Sequence, residues 1–430
     1  MSIVEELQEK FDQVDETKSL GGAIKTYEQI ITFDDNSEEV VKIKEKAIYN
    51  LASIYSEKKL ADDLITLLET ILPILKEIPQ KSKTAKIVRT IFDFTTKIPG
   101  NEDKLIEMCE KIAEWCEENK RTFLRHRIQT KLAELLYKQH KYNDSIELLN
   151  DLLYEMKRLD DKNMLVEIQL IESQVYHALH NIPKSKAALT SVKTAGTSIY
   201  IAPMLQAQID MQSGVISAEE KDFNTGYSYF YESFEGFNSL QDQSNAQRAL
   251  KYMLMSKIMN KQPEDALNIL NSQITLKYQG SPLECMREIA KAVKDQNLLA
   301  FEKAKEDFQD EILSDANVLA IHVKDLYSTL LEDNLMKIIE PYSEVQLDFI
   351  ADQIKLSLPT VQTTLSGMIL DEKIEGTLDQ GRGCLVMFEE QDTNNKKFEH
   401  TVDIFDKLSN VIDAFYEKTK KVKELSQSLQ

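Results

Sequence analysis

The sequence predicts a mostly α-helical protein, in which a helical-repeat solenoid precedes a winged-helix module and a long C-terminal helix. Three observations lead to this prediction. Glycine and proline are scarce, apolar residues recur every 40 or 41 residues over the first three hundred positions, and the apolar spacing changes near residue 310. We place the solenoid at 1–310, the winged helix at 311–392 and the terminal helix at 398–429.

The composition favours helices and disfavours several other classes. Average usage would give the 430 residues about 30 glycines and about 21 prolines, whereas this chain has 12 and 9. Folds that need frequent tight turns, such as β-sandwiches and propellers, are therefore disfavoured. The net charge of −20 repels phosphate, so we expect no binding to nucleic acid or to anionic membranes.

A repeat of 40 or 41 residues predicts about seven helical hairpins. Within a unit, apolar residues recur at spacings of three and four on both sides of a polar turn, which is typical of two amphipathic helices. One hairpin cannot bury its own apolar stripe, so stacked neighbours must cover it, as in tetratricopeptide (TPR)-like arrays. Two series mark the repeat: Ile24, Leu64, Leu105, Ile146, Ala187, Tyr227 and Leu267, and three residues later Tyr27, Leu67, Met108, Leu149, Thr190, Phe230 and Leu270.

Pro73 is the one proline inside the apolar pattern of a solenoid helix, whereas the other solenoid prolines lie between helices or at helix starts. Proline lacks the N–H of an interior helix position, and its ring clashes with the preceding turn. The sequence therefore predicts a kink or a break at Pro73.

An aromatic segment in the sixth hairpin has two interpretations. It could form a hydrophobic groove for a peptide, but a thick core between hairpins is favoured, because four of its aromatic residues share one helical face. Tyr229 and Tyr231 lie off this face and are the better candidates for an external contact. The segment comprises Tyr227, Tyr229, Phe230, Tyr231, Phe234 and Phe237.

A basic stretch in an otherwise acidic chain is a candidate partner interface. Its cations could dock on an acidic partner surface, although an ordinary solvated helix face is the alternative. The candidate residues are Lys81, Lys83, Lys86 and Arg89, flanked by Lys76 and Lys97.

Beyond residue 310 the spacing predicts two helices and a hairpin, the pattern of a winged helix. Residues 345–390 carry three cations and eight acidic residues, and the second helix has no Lys or Arg. A domain that binds DNA phosphates needs such cations, so we expect a protein-interaction module whose sheet edges could pair with a neighbour. The predicted elements are a helix opened by a capping box of Ser343 and Gln346, a second helix from Pro359, and strands at 373–378 and 384–388 with Gly381 and Gly383 between them.

The last predicted helix carries an apolar stripe that must pack on something. It could fold back on the winged helix or join helices of other chains in a bundle, and the sequence leaves both open. Its residues form the second candidate partner interface: Val402, Phe405, Leu408, Ile412 and Phe415.

No motif in the sequence indicates an enzyme. Phosphate-binding loops, dinucleotide fingerprints and nucleophile elbows are missing. His177 and His180 could place two metal ligands on one helix face, but no third ligand accompanies them. We expect no catalytic residues, no cofactor, no metal and no small-molecule substrate.

Cysteine usage and the absence of targeting patterns favour a reducing compartment. Cys109 and Cys116 lie seven residues apart in a predicted helix, about 10.5 Å and beyond disulfide reach. We expect buried thiols. The charged start of the chain does not resemble a signal peptide, and the most apolar stretch, 64–75, is too short to span a membrane. The expected location is the cytoplasm and nucleus.

The order of solenoid, winged helix and terminal helix resembles the plan of PCI proteins, named for the proteasome lid, the signalosome and translation initiation factor three. Specific strings resemble one family among them, the lid subunits of the 26S proteasome regulatory particle of the non-ATPase subunit six type. These strings lie at 120–125, 160–167, 172–179, 187–190, 210–214, 219–222, 227–236, 251–254, 339–341, 368–371 and 378–381.

The resemblance implies a non-catalytic scaffold in ubiquitin-dependent protein degradation. In such subunits the PCI domain joins other PCI subunits of the lid, the terminal helix enters a shared bundle, and the solenoid clamps the lid to the ATPase ring and the core-particle α subunits. The alternatives are a paralogous subunit of the signalosome or of translation initiation factor three and, from another class, a winged-helix nucleic-acid binder.

Overall fold

The computed structural model describes residues 20–31, 38–77, 81–96, 98, 100–278, 280–313, 319–388 and 393–428. The predicted fold class is confirmed: helical hairpins are followed by a winged helix with a small sheet and then by a long helix. The chain divides into two compact units, one of residues up to Ala290 with 310–320, the other of 291–309 with residues from Ile321. Among the described helices, none is long and apolar enough to cross a bilayer.

The first unit is a succession of antiparallel helices. Its helices are α1 (Leu20–Ile31), α2 (Glu38–Glu57), α3 (Ala61–Glu77), α4 (Lys81–Thr96), α5 (Glu102–Glu118), α6 (Thr122–Lys138), α7 (Tyr142–Leu159), α8 (Lys162–Ala178), α9 (Ile182–Gly196), α10 (Pro203–Glu219), α11 (Phe223–Ser239), α12 (Gln243–Met259) and α13 (Pro263–Leu270), then a 3₁₀ turn (Thr275–Tyr278) and the first part of α14 (Ser281–Lys294).

The repeat is visible in the backbone as left-handed residues at the turn inside each hairpin. They recur at steps of 40 or 41, and most are not glycine, although that conformation disfavours residues with a Cβ. At Lys221 the following N–H, of Asp222, donates to Ser217 O at 3.0 Å, the pattern of a Schellman cap. The residues are Lys59, Gly100, His140, His180, Lys221 and Lys261.

The second apolar series of the predicted repeat, which begins at Tyr27, is buried at every position except Thr190. In α9 the buried apolar side chains are instead those of Ala188, Leu189 and Val192, so both Ala187 and Thr190 are exposed. The buried positions of α9 are thus shifted by one residue relative to the other hairpins. The helix still packs on its neighbours, but the 40-residue series is interrupted there.

The two helices of a hairpin approach at pairs of small residues twelve positions apart. Ser173 and Ser185 donate hydrogen bonds to each other's carbonyl oxygens at 3.0 and 2.8 Å. At the equivalent place in the next hairpin, a Cβ on Gly226 would lie 3.4 Å from the carbonyl oxygen of Gly214. Small side chains let the backbones come this close, which fixes the spacing within each hairpin.

Helix α3 runs from Ala61 to Glu77 through Pro73, so the helix is not broken there, and the kink that the sequence also allowed stays a prediction. Leu68, Leu72 and Leu75 are buried in the core on both sides of the proline. Their packing holds both halves in one helix despite the lost backbone hydrogen bond.

The second unit contains the winged helix, whose sheet has the order β1-β3-β2 with both pairs antiparallel. Leu347, Ile350, Val361 and Leu365 fill its core. Its elements, after the end of α14, are α15 (Leu298–Asp307), α16 (Gln309–Leu313, mostly outside this unit), α17 (Leu319–Ile339), β1 (Glu344–Gln346), α18 (Leu347–Ile354), α19 (Leu358–Leu370), β2 (Gly376–Asp379), β3 (Cys384–Met387) and α20 (Thr393–Ser428).

The predicted capping box of Ser343 and Gln346 is wrong. These residues flank and end strand β1, where Met387 N donates to Ser343 O at 2.9 Å, and the helix begins only at Leu347. The first hairpin strand also begins at Gly376 rather than at residue 373, because Glu372 adopts a left-handed conformation that still caps α19.

Candidate interaction surfaces

The terminal helix α20 presents the largest exposed apolar surface among the described residues. All five predicted side chains, Val402, Phe405, Leu408, Ile412 and Phe415, are 55–70% exposed. Every other described side chain from 398 to 421 is exposed as well. From 398 to 421, where the side chains are described, this face is therefore unpacked, and this part of α20 does not fold back on the winged helix.

The apolar face of α20 is wider than the sequence stripe indicated. Phe398, Ile404, Val411 and Tyr416 are also 53–71% exposed, and at 100° per residue they extend the face to about half of the circumference. A two-stranded coiled coil uses only a narrow seam of two positions per heptad. The stripe analysis missed these residues because it followed one line of spacings of three and four.

The basic stretch on α4 is partly neutralised by neighbouring side chains. Lys86 Nζ lies 4.0 Å from Glu45 Oε1 and 5.8 Å from the ring centre of Tyr49, and Arg89 Nε lies 3.8 Å from Asp93. The Lys86 and Arg89 side chains nevertheless remain mostly exposed, and Lys83 is half-buried.

Two cations that the sequence analysis assigned to this stretch are not fully described. The side chain of Lys81 and all of Lys97 lie outside the described part of the chain. The described cations of α4 are thus Lys83, Lys86 and Arg89. As a partner interface, this stretch remains a prediction.

The aromatic segment of α11 is mainly core, as favoured. Phe230, Phe234 and Phe237 are buried, and Phe230 packs against Tyr252 with ring centres 5.5 Å apart. Of the two tyrosines off the stripe, Tyr229 is half-buried below Lys193, whose Nζ lies 4.2 Å from the ring centre. Tyr231 is exposed, and its hydroxyl donates to Glu235 at 2.8 Å.

A network around the half-buried Arg121 joins three hairpins and was missed by the sequence analysis. Arg121 donates to Leu75 O at 3.3 Å, contacts the buried hydroxyl of Thr84, and stacks on Trp115 with its guanidinium 4.9 Å from the ring centre. Burial lowers the pKa of this arginine. Arg121 and Leu75 lie 46 residues apart in the sequence, so the periodicity of apolar residues could not reveal their contact. The one signal in the sequence was that Arg121 lies in the segment 120–125, which resembles the lid-subunit family.

A second ion group lies where the start of α6 meets the end of α7. The buried imidazole of His126 lies with Nε2 2.6 Å from Glu155 Oε2, and Arg125 contacts the same carboxylate. Hydrogen bonds from these two side chains lower the Glu155 pKa against the opposing effect of burial. The group ties the two helices together and is structural.

The cations of the winged helix are mostly paired with acidic residues of the same chain. Lys373 Nζ lies 2.7 Å from Glu332 and 3.6 Å from Asp371, and the hydrogen bond to Glu332 raises the Lys373 pKa. Arg382 lies 3.8 Å from Asp379. Helix α19, at the position of a DNA-reading helix, has no charged residue from Leu358 to Leu370. The surface that would meet a phosphate backbone thus offers few free positive charges.

The histidine pair does not form a metal site. His177 is buried with Nε2 3.3 Å from Glu219, whereas His180 is an exposed left-handed turn residue. Within the described residues, no group of three His, Cys, Asp or Glu side chains could hold a metal ion.

The four cysteines are buried free thiols, as expected. Burial raises the pKa of Cys109 to about 12 and that of Cys116 to about 11. A thiol with such a pKa is almost fully protonated at neutral pH and is a poor nucleophile.

Two families match different parts of the chain. Residues 4–139 match the family described as the 26S proteasome regulatory subunit RPN6 N-terminal domain, and residues 301–389 match the PCI domain. The first match covers the basic stretch and Arg121, and the second covers the winged helix.

Whole-length relatives agree with these matches. A protein of Arabidopsis thaliana named 26S proteasome non-ATPase regulatory subunit 11 homolog is 44% identical over 93% of this chain and 94% of its own length. The Dictyostelium discoideum subunit 11 is 42% identical over 96% and 99%. The Saccharomyces cerevisiae regulatory subunit RPN6 is 41% identical over 79% and 78%.

Proposed function

The chain belongs to the RPN6 family of 26S proteasome regulatory subunits, also named non-ATPase regulatory subunit 11, and on this premise we propose that it is a non-catalytic scaffold of the proteasome lid. It acts in ubiquitin-dependent protein degradation by holding other subunits in place. The observation that carries this proposal is α20, which leaves about half of its circumference apolar and exposed. Monomeric soluble proteins rarely expose a patch of this kind without a partner.

The proposed partners differ between the parts of the chain. The terminal helix enters a bundle with helices of other lid subunits, and the edges of the winged-helix sheet, β1 and β2, pair with neighbouring PCI subunits. The solenoid clamps the lid to the ATPase ring and to the core-particle α subunits. Lys83, Lys86 and Arg89 are the described cations that would face an acidic surface there. The proposed location is the cytoplasm and nucleus.

Removal of the terminal helix tests the scaffold role. A chain ending before Phe398 is expected to fold, because α20 buries no described side chain, but to be missing from purified lid. Circular dichroism checks the fold, and affinity purification from cells checks incorporation. The matched control is Asn410→Glu with Ala414→Glu, which adds charge on the polar face of α20 and is expected to incorporate normally. Normal incorporation of the truncated chain would refute the proposal.

Crosslinking in the assembled proteasome tests the clamp. Crosslinks from Lys83 or Lys86 to ATPase or core α subunits are expected, whereas crosslinks of these lysines to other lid subunits alone would contradict this part of the proposal. Neutralising Lys83, Lys86 and Arg89 is then expected to weaken lid attachment more at low salt than at high salt, because high salt already screens the attraction that these exposed cations supply.

A further inference from the structure

We propose that an exposed pair of aromatic rings in the winged helix binds an arginine side chain that a partner protein presents. The pair consists of Tyr342, just before strand β1, and Phe349, in helix α18. Their ring centres lie 6.2 Å apart and the ring planes meet at 79°. Tyr342 is 48% exposed and Phe349 is 41% exposed. The inference rests on these two rings and the charges around them, and it does not depend on the proposed lid role.

The local fold brings the two rings together on the surface. Tyr342 N donates to Ile339 O at 2.9 Å, which holds Tyr342 in the turn after α17. Strand β1 has only three residues, so α18 begins a short distance further along the chain. Leu347 and Ile350 are buried in the core of the winged helix, and Phe349 therefore lies on the solvent side of α18.

Elsewhere in the chain, partly exposed aromatic rings lie under a cation of the same chain. The distances from the cation to the ring centre are 4.2–5.8 Å, within the range of cation–π attraction. Among the described residues, no cation lies over Tyr342 or Phe349. These two ring faces are thus available to a cation of another molecule. The covered pairs are Arg158 over Tyr154, Lys184 over Tyr176, Lys193 over Tyr229 and Lys257 over Tyr227.

Carboxylates beside the rings select a cation as the occupant. Asp348 and Asp352 are exposed and one helical turn apart, and Asp352 is also a neighbour of Phe349 at the i, i+3 spacing. Among the described residues, neither carboxylate forms an ion pair. Residues 338–354 carry four acidic residues and no Lys or Arg, a balance of 0 − 4 = −4. A cation placed here gains from both a ring and a carboxylate.

Arginine fits this surface better than lysine. Its planar guanidinium stacks on a ring and donates two parallel hydrogen bonds to a carboxylate, whereas the lysine ammonium is a strongly hydrated point charge. The chain itself contains such a stack, since the guanidinium of Arg121 lies 4.9 Å from the ring centre of Trp115. The acidic surface repels phosphate, so the arginine comes from a protein and not from a nucleic-acid complex.

A short cationic peptide tests the site on the purified full-length chain. The probe is a dye-labelled peptide in which three arginines alternate with valine. Its control carries citrulline, which keeps the shape of arginine without the charge. Fluorescence anisotropy should show saturable binding of the arginine probe with a dissociation constant below about 1 mM, and at least about tenfold weaker binding of the citrulline probe. Equal affinity for both peptides, or no saturation by the arginine probe, would overturn the proposal.

Substitutions in the patch separate this site from the general attraction of a chain with a net charge of −20. Asp348→Asn with Asp352→Asn is expected to weaken binding of the arginine probe about three- to tenfold. Phe349→Leu keeps an apolar side chain but removes the ring, and should weaken binding about two- to fivefold. Circular dichroism checks that each variant is folded.

Matched controls make the same chemical changes on exposed residues of α20. Glu399→Gln with Asp406→Asn removes the same charge, and Phe398→Leu removes an equally accessible ring. Both should leave the affinity for the arginine probe nearly unchanged. Losses equal to those of the patch variants would show only general charge attraction and would refute the site, whatever the outcome of the lid experiments.

Discussion

At the residue scale, Gly214 sets the approach of α10 to α11. A Cβ at this position would lie 2.6 Å from the Phe230 ring, which is itself buried against Tyr252. Gly214→Ala is therefore expected to lower the free energy of unfolding by about 1–3 kcal/mol through overpacking. Gly367→Ala is the matched control, since nothing lies within 4 Å of its Cβ, and it should stabilise by up to about 1 kcal/mol. Equal effects in chemical denaturation would contradict this packing argument.

The left-handed turn residues give a second residue-scale prediction. Lys221 has a φ of 64° at the end of α10, where a Cβ costs roughly 1–2 kcal/mol. Lys221→Gly should relieve this strain and stabilise by about 0.5–1 kcal/mol, which is less than the full strain because the extra freedom of glycine in the unfolded chain offsets part of the gain. Ala187→Gly, at an exposed helical position in α9, should instead destabilise by about 1 kcal/mol. Thermal unfolding measures the stability of both variants. A loss of stability in Lys221→Gly would show that the Lys221 side chain makes a compensating contact.

At the element scale, the sequence predicted the helices that bury one face and expose the other. The prediction was wrong or incomplete where an element does not follow this pattern. The series of apolar residues followed α3, α5, α7 and α11, since each has a core face and a solvated face. It faltered at α9, where the core position shifts by one residue. Strand β1 was missed because it has three residues and its partner, with Val345 opposite Leu385, lies forty residues away. Of the candidate interface, the exposed stripe on α20 was predictable, but its full width needed the structure.

The terminal helix gives the element-scale prediction. Most helical stability in proteins comes from tertiary packing, which α20 lacks at residues 398–421. Backbone amides of α20 should therefore exchange with solvent much faster than those of α12, whose side chains are buried on nearly every side. Hydrogen-exchange mass spectrometry at low protein concentration measures this. Protection equal to that of α12 in dilute chains would mean that α20 packs within its own chain.

At the scale of the whole molecule, charge decides against nucleic-acid readout although the module has the winged-helix topology. The chain carries −20, and Lys373 and Arg382 are already paired with acidic residues of the same unit. Non-specific DNA binders reach dissociation constants of roughly 10⁻⁴–10⁻⁶ M at physiological salt by releasing counterions from phosphates.

This chain should bind duplex DNA more weakly than about 10⁻⁴ M, as measured by fluorescence anisotropy. Replacing Glu332, Asp371 and Asp379 by their amides removes the acidic partners of both cations and serves as the sensitised control. It should still fail to bind, because α19 places no cation at the groove, and tight salt-dependent binding by either protein would revive the nucleic-acid alternative.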